Sequence, residues 1–548
     1  MPDFLSPPDT IVDDVLAATA GLMPLLLSEP GCGARIVLQA ERDTSKVAVL
    51  SGGGSGHEPA HAGFVGRGML TGAIAGEVFA SPGVEAVLAA IRACADAPGV
   101  LLIIKNYTGD RLNFGLAAER ARAEGIEVAT VLVADDIALP DAAQPRGLAG
   151  TVLVHKFAGH LAAAGVPLAE LAARVQGFAD RVLSLGMALS SCSVPGQAQS
   201  RRSPELGLGI HNEPGARKVQ PADVDEALAL VLDPLLAAAD RRFGPDARLV
   251  VMLNDLGGCS TQELAVLTRR LLDRIGTDRI ALMPRPAALM TSMDMHGFSL
   301  SLAPADDELL AALRAPVETL GWPGVVLPHA PTTFRPALQR SGEAPGHGTR
   351  DAGRGDALGR VAQALVDAQA ELDALDAKTG DGDAGSTFAA GARAVAAALA
   401  DDALSTGEDA RLARELAALV EHSMGGSSGV LLSILLTTAA AELEAGAAWS
   451  AALGAGIARM RHYGGADAGD RTMLDALIPA AACLADGGTP AAAAGAAREG
   501  ADATAGMERA GAGRSAAVPS DALRGVRDPG AEAVARAFAA FAGSDGAV

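Results

Sequence analysis

The sequence predicts a multidomain protein: an α/β region in two parts, followed by an all-α domain. Three observations carry this. At 548 residues the chain is long for one hydrophobic core, which ordinarily splits beyond about 250–300 residues. Up to about residue 335, short apolar runs alternate with helical patterns, whereas from 356 onward Ala/Leu-rich segments keep helical spacing and no strand stands out. Between the two halves, residues 336–355 (PALQRSGEAPGHGTRDAGRG) lose periodicity and gain Gly, Pro and charge, which is the composition of a linker.

The predicted strands of the first half are KVAVLSGG (46–53), VLLIIKNYTGD (100–110), EVATVLVADD (127–136), RLVVMLNDLGG (248–258) and RIALMPRP (279–286). Each is β-branched or Leu-rich and stops at turn residues. The amphipathic VEAVLAAIRACADA (84–97) lies between two of them, as a helix covering a sheet face does. A division of this half falls near 185–200, around LSSCSVPGQAQS. In the second half, residues 357–375, 408–424, 429–446 and 471–487 read as helices separated by Gly-rich breaks, which makes an all-α bundle over 356–548.

Composition narrows the function. The net charge of −21 argues against a nucleic-acid or other polyanionic partner, and 3% aromatics leave few platforms for stacking bases. A small phosphorylated ligand is still compatible, because one metal ion or a few helix N-termini hold it locally. The five cysteines are scattered without a C-x-x-C pair, as reduced thiols in a cytoplasm would be. The first ten residues, MPDFLSPPDT, lack a basic and apolar leader, and no membrane partner is expected because no apolar run reads as long enough to span a bilayer.

SGGGSGHEPAHAGF (51–64) ends the first predicted strand in glycine and serine. A P-loop needs a Lys-Ser/Thr pair and a dinucleotide loop needs G-x-G-x-x-G at fixed spacing; neither is present. Gly54, Ser55 and Gly56 still allow a small ligand close to the backbone. His57 and His61 satisfy the H-E-x-x-H zinc pattern, which requires both on one continuous helix. Pro59 is expected to be the first helical residue, leaving His57 in the loop before it, so the zinc site is not expected. KNYTGD (105–110) places Lys105, Asn106, Tyr107 and Asp110 past a strand end, where open α/β sheets bind ligands. Asp110 there suits a general base toward a hydroxyl, above all if hydrogen-bonded to His57; the plain alternative is a capped turn. LGLGIHNEPG (206–215) sets His211 between glycine-rich backbone and a turn, as base, ligand, nucleophile or structural residue.

The densest signal lies in the second half. Asp376, Asp381 and Asp383 fall within eight residues, and three such carboxylates repel unless a cation screens them, which suits Mg²⁺ or Ca²⁺ but not an EF-hand spacing. Ala384, Gly385, Ser386 and Thr387 follow at once and open the next helix, whose N–H groups favour phosphate. GGSSG, with Ser427 and Ser428, repeats the device. Arg471, Met473, Arg514 and Asp528 come from loops between later helices.

Taken together, GGGSGHEPAHAGFVGRGML, KNYTGDRLNFG, LGLGIHNEPG, GDGDAGST, GGSSG, GDRTMLDAL and DPGA, in that order over nearly the whole chain, resemble the ATP-dependent dihydroxyacetone kinases of the single-chain type. The resemblance implies a two-part α/β substrate region and an eight-helix antiparallel barrel for ATP and Mg²⁺. It implies that His211 captures the substrate ketone as a hemiaminal, and that His57 and Asp110 help deprotonate the hydroxyl that attacks the γ-phosphate. Gly54, Ser55, Gly56 and Lys105 match the substrate pocket. Asp376, Asp381 and Asp383 match the Mg²⁺ ligands; Ala384 to Thr387, Ser427 and Ser428 match phosphate contacts. Gly464, Met473, Arg514, Asp528, Pro529 and Gly530 match the rest of the nucleotide site. Arg514 departs in its sequel, Ser-Ala-Ala, where the family has an aromatic. The resemblance further implies a cytoplasmic homodimer in which one subunit's nucleotide domain faces the substrate domain of the other. Within the same frame stand a four-carbon ketose such as erythrulose as the substrate, glyceraldehyde as a further one, cyclisation of FAD to cyclic FMN, and a non-enzymatic coregulator.

Overall fold

Runs of Val, Leu and Ile in the first half become strands covered on both faces. The computed structural model describes residues 4–139, 144–195, 203–336 and 348–543, and the chain divides into two units, Met1–Thr333 and Phe334–Val548. The first sheet holds β1 (Leu25–Leu27), β2 (Arg35–Gln39), β3 (Ala48–Ser55), β4 (Gly72–Val78), β5 (Val100–Lys105) and β6 (Val128–Val133), in the order β1-β2-β4-β3-β5-β6. β4, β3, β5 and β6 run parallel, while β1 and β2 pair antiparallel at the edge. Parallel strands need crossover helices on both faces, so alternate residues bury in opposite directions. Leu50, Leu102 and Val100 pack against α2 (Val84–Arg92) and α3 (Thr108–Ala123), through Val87, Ile91 and Phe114. Val49, Leu101 and Ile103 pack the other way, against α4 (Thr151–Ala163) and α5 (Leu168–Ala179), where α1 (Ile11–Leu22) also joins.

The second sheet comprises β7 (Leu183–Ala188), β8 (Glu205–Leu206), β9 (Arg217–Lys218), β10 (Leu249–Asp255), β11 (Ile280–Pro284), β12 (Ala287–Ala288), β13 (Gly297–Pro304) and β14 (Val325–Val326). Its central strands β10, β13 and β7 are antiparallel neighbours, and β11 runs parallel to β10. α6 (Val224–Phe243) and α7 (Thr261–Ile275) cover one face through Val231, Leu235, Leu267 and Leu271. On the other face Val250, Met252 and Leu282 share a core with Leu101 and Ile103 of the first sheet, and α8 (Asp307–Arg314) adds Leu309 and Leu313. The five strands expected from the sequence all form; β1, β2, β4, β7 and β13, and the two-residue β8, β9, β12 and β14, were not anticipated.

In the second unit no strand occurs among the described residues. Its helices are α9 (Ala352–Asp367), α10 (Gln369–Asp376), α11 (Ala384–Ala400), α12 (Asp409–Ser423), α13 (Gly426–Glu444), α14 (Trp449–Gly464), α15 (Leu474–Ala485), α16 (Pro490–Ala503), α17 (Ser520–Leu523) and α18 (Pro529–Ala542). The segment read as one helix over 357–375 is two, broken at Ala368. Setting aside the short α10 and α17, each helix packs on the next, and α18 packs back on α9, so eight helices close a ring. Small side chains allow close approach: Ala476, Ala480, Ala493, Ala497, Ala531 and Ala535 fill the joints of α15, α16 and α18. At the α16–α18 joint the buried Glu532 accepts from Arg498 at 2.6 Å and from Arg536 at 2.7 Å. α13 is, contrary to the sequence reading, long and apolar enough by composition to cross a membrane; here it packs between α12 and α14.

Candidate functional site

β3 runs directly into the glycine-rich turn, bringing Gly54, Ser55 and Gly56 to the C-terminal edge of the parallel strands. His57 follows and is fully buried. Its Nδ1 lies 2.8 Å from the Thr291 carbonyl, so Nδ1 carries the proton and Nε2, which has no partner among the described residues, presents a lone pair. The ring stacks on Phe79, with centroids 5.4 Å apart, and meets the edge of His211 at 4.8 Å. His211 comes from the loop after β8 and also packs against Tyr107, 4.4 Å between centroids. Its Nδ1 lies 3.4 Å from Glu213 Oε1, and its backbone N–H donates to Glu213 Oε2 at 2.8 Å. Glu213 therefore grips both ends of His211 and turns Nε2 away from itself.

Lys105 is the last residue of β5 and Asp110 sits in the first turn of α3; both are buried. Burial raises the Asp110 carboxyl above its usual range, partly offset by Lys105, and burial lowers the Lys105 ammonium. Burial, then the nearby Lys105 charge, drives His57 well below the ordinary imidazole value, so it stays neutral. Burial pushes Glu213 up, but the hydrogen bond and charge of His211, together with backbone N–H groups, outweigh this in sum and leave it below the usual carboxylate range. The cluster thus combines a neutral imidazole acceptor, a buried carboxylate, a buried cation and a second imidazole oriented by Glu213.

Two expectations need correction. Residues 58–61 form a turn rather than an α-helix, and only a 3₁₀ turn, Ala62–Phe64, follows, so Pro59 does not begin a helix. The zinc geometry fails for that reason: His57 reaches Thr291, while His61 Nε2 contacts Lys105 Nζ at 2.7 Å. Asp110 does not bond to His57 but accepts from the Ser81 hydroxyl. Phe79, Ser81, Glu213 and Thr291 escaped the sequence reading. Glu213 alone had a signal there, two residues from His211, where a carboxylate reaches back to the backbone N–H.

In the second unit, α10 ends on Asp376 and α11 starts after Asp383, so the intervening loop carries the acidic cluster. Asp376 Oδ2 accepts from the N–H groups of Gly382, Asp383 and Ala384 at 3.0, 3.0 and 3.2 Å, which folds the loop over it. Oxygens of Asp376, Asp381 and Asp383 lie within 4.8 Å of one another. Oxygen ligands on opposite sides of the ion are about 4.0–4.2 Å apart for Mg²⁺ and about 4.6–5.2 Å for Ca²⁺, so the set is close to the span of one divalent cation. Ala384 to Thr387 form the first turn of α11; Ser386 donates its N–H and hydroxyl to Asp373, at 2.8 and 2.9 Å. Ser427 and Ser428 open α13. Gly464 ends α14, Met473 precedes α15, and Asp528 caps α18 by accepting from Ala531 N at 2.8 Å, with Pro529 and Gly530 in its first turn. Arg514 begins a 3₁₀ turn, and its side chain lies outside the described set.

Comparison with known proteins bears on both sites. Residues 26–321 match the Dak1 domain and residues 378–543 the DAK2 domain. The chain is 45% identical to the dihydroxyacetone kinase of Citrobacter freundii, over 98% of its own length and 97% of that protein. It belongs to the dihydroxyacetone kinase family. Within that family it is also 44% identical to human triokinase/FMN cyclase, over 85% of this chain and 84% of that one. The crystal structure of the C. freundii dihydroxyacetone kinase in complex with AMP-PNP and Mg²⁺ superposes with a TM-score of 0.80, at 44% identity, covering 99% of this chain and 100% of that one.

Proposed function

We propose that this chain transfers the γ-phosphoryl group of ATP to a terminal hydroxyl of dihydroxyacetone. The carrying observation is His211, held by Glu213 against His57, Phe79 and Tyr107, with the buried Asp110 near enough to feel the charge of both His211 and Lys105. His211 Nε2 attacks the ketone carbon; the C–N bond forms as the carbonyl π pair moves to oxygen. The Nδ1 proton passes by way of Glu213 and the pocket to that oxygen, leaving a neutral hemiaminal. An alcohol such as glycerol has no electrophilic carbon to capture. The single hydroxyl proton goes to one of the two bases, Asp110 or Nε2 of His57, as the hydroxyl oxygen attacks the γ-phosphorus and the bond to the β–γ bridging oxygen breaks to release ADP. Lys105 and the backbone of Gly54, Ser55 and Gly56 receive the substrate oxygens.

In the second unit, Asp376, Asp381 and Asp383 would hold Mg²⁺, which would supply positive charge to offset that of the phosphoryl group. The N-terminal turns of α11 and α13, with Ser427 and Ser428, receive phosphates. Gly464, Met473, Arg514 and Asp528 to Gly530 frame the nucleoside. We further propose that residues 336–355 link a ketose domain, 1–335, to an ATP domain, 356–548, and that the enzyme is a cytoplasmic homodimer with the nucleotide domain of one subunit serving the substrate domain of the other.

The test is phosphate transfer from ATP with Mg²⁺ to dihydroxyacetone, glyceraldehyde, erythrulose and glycerol at matched concentrations. Dihydroxyacetone is expected to be fastest and glycerol negligible. Faster erythrulose turnover would move the assignment to a four-carbon ketose, and equal use of glycerol would remove ketone capture.

A further inference from the structure

Three side chains converge over Gly53. A Cβ on this residue would lie 2.6 Å from Lys105 Nζ and 3.6 Å from both Asp110 Oδ2 and His61 Nε2. Lys105 Nζ is 2.7 Å from His61 Nε2, and both residues are buried. An ammonium has no lone pair, so it donates, Nε2 accepts, and the ring proton of His61 sits on Nδ1. Nδ1 has no partner among the described residues, and His61 borders a cavity of about 340 Å³ that Glu58 and Thr19 also line. Nothing in the phosphoryl-transfer chemistry above uses His61.

We infer that His61 is a positioning residue of the ketose site: its Nε2 accepts from Lys105 and fixes the ammonium over Gly53, beside Asp110. The inference rests on the ketose-kinase reading for what Lys105 does, but not for the contact itself. A lysine side chain has four rotatable carbons, and a buried ammonium without an acceptor either swings away or loses its proton. His61 prevents both. The groups facing it are Lys105 from β5, Asp110 from α3, His155 from α4, and His57 and Glu58 from its own turn. Burial, reinforced by Lys105, keeps His61 well below the ordinary imidazole value and His155 at about 3, so neither competes as a cation. His155 is engaged elsewhere, with Nε2 3.1 Å from Ser51 Oγ.

The experiment compares the full-length wild type with His61→Gln and His61→Leu. The glutamine amide oxygen can still accept from Lys105; leucine cannot. His61→Leu is expected to raise the dihydroxyacetone KM roughly tenfold or more and to move the alkaline limb of kcat/KM to lower pH, as the ammonium loses its acceptor. His61→Gln should stay within about threefold of wild type in KM. A leucine variant with unchanged KM and pH profile, or glutamine and leucine variants equally impaired, would overturn the inference. Should the leucine variant not fold, the ¹⁵N spectrum of histidine-labelled wild type decides. A neutral Nδ1–H tautomer at His61 supports the contact, and an Nε2–H tautomer overturns it. That spectrum needs no substrate, so it separates failure of this inference from failure of the kinase reading, which the wild-type assay alone tests.

Discussion

At Gly53 the backbone φ is +156°, and the space a methyl group would take is held by the Lys105 ammonium. Gly53→Ala therefore displaces Lys105 by about an ångström, a misplacement of the kind that costs roughly a hundredfold in rate. We expect kcat/KM for dihydroxyacetone to fall by about that factor, read in a coupled assay, with ATP binding to the other unit unchanged in calorimetry. His211 makes a different prediction. If it captures the ketone, His211→Ala loses activity at low dihydroxyacetone by about a hundredfold or more and narrows the preference for the ketone over glycerol. Full activity at low substrate, with the preference intact, would end the covalent reading.

Among the elements, the α10–α11 loop and the start of α18 depend on single carboxylates. Asp376 Oδ2 ties three N–H groups of a half-buried loop, so Asp376→Ala removes their shared acceptor at about 0.5–1.5 kcal/mol, whereas Asp376→Asn keeps an acceptor and removes only the charge. Both variants should lose Mg²⁺-dependent ATP turnover, and the alanine variant alone should also melt earlier. Equal melting with retained Mg²⁺ dependence would contradict the assignment. Asp528 caps α18 from a buried position, and burial raises its carboxyl from 3.8 to about 6. A pKa raised on folding means the folded state holds the proton more tightly. The resulting stabilisation is complete below the unfolded value and is lost as pH rises through about 6. The shift corresponds to about 3 kcal/mol. Asp528→Asn retains a good cap without titrating. Wild-type stability relative to this variant should therefore decline between pH 4 and pH 7 in thermal melts, and a flat difference would refute it.

For the whole molecule, the proposed pairing of one subunit's nucleotide domain with another's substrate domain predicts complementation. His211→Ala and Asp381→Ala chains, each strongly impaired alone at low dihydroxyacetone, should regain activity once mixed and allowed to exchange subunits; no gain would appear if each chain served itself. Much of this organisation was legible in the sequence. Doubly covered strands such as Val100–Lys105 announce themselves as continuous apolar runs, and the helices of the second unit by their period. The antiparallel strand Arg35–Gln39, next to the edge, and Gly297–Pro304 were missed because their pairing, not their composition, makes them strands. At the sites, His57, Lys105, Asp110, His211 and the three aspartates stood out, since their residue types and local spacing carry the signal. Phe79, Ser81 and Thr291 did not, because only the tertiary fold brings them to His57 and Asp110. His61 was seen only as half of a zinc pattern, and its contact with a lysine 44 positions away lies beyond any local reading.

The helical ring closes by packing α18, whose last residue is Ala542, onto α9, which begins at Ala352. During synthesis the nucleotide domain therefore waits with one seam open until its final helix has left the ribosome, while the substrate domain upstream already has all its strands. A stop codon in place of Pro529 would remove all of α18 and with it the Glu532 carboxylate that Arg498 and Arg536 grip. Such a chain would expose the alanine- and leucine-lined joints of α9 and α16 to chaperones and proteases while keeping a complete ketose pocket.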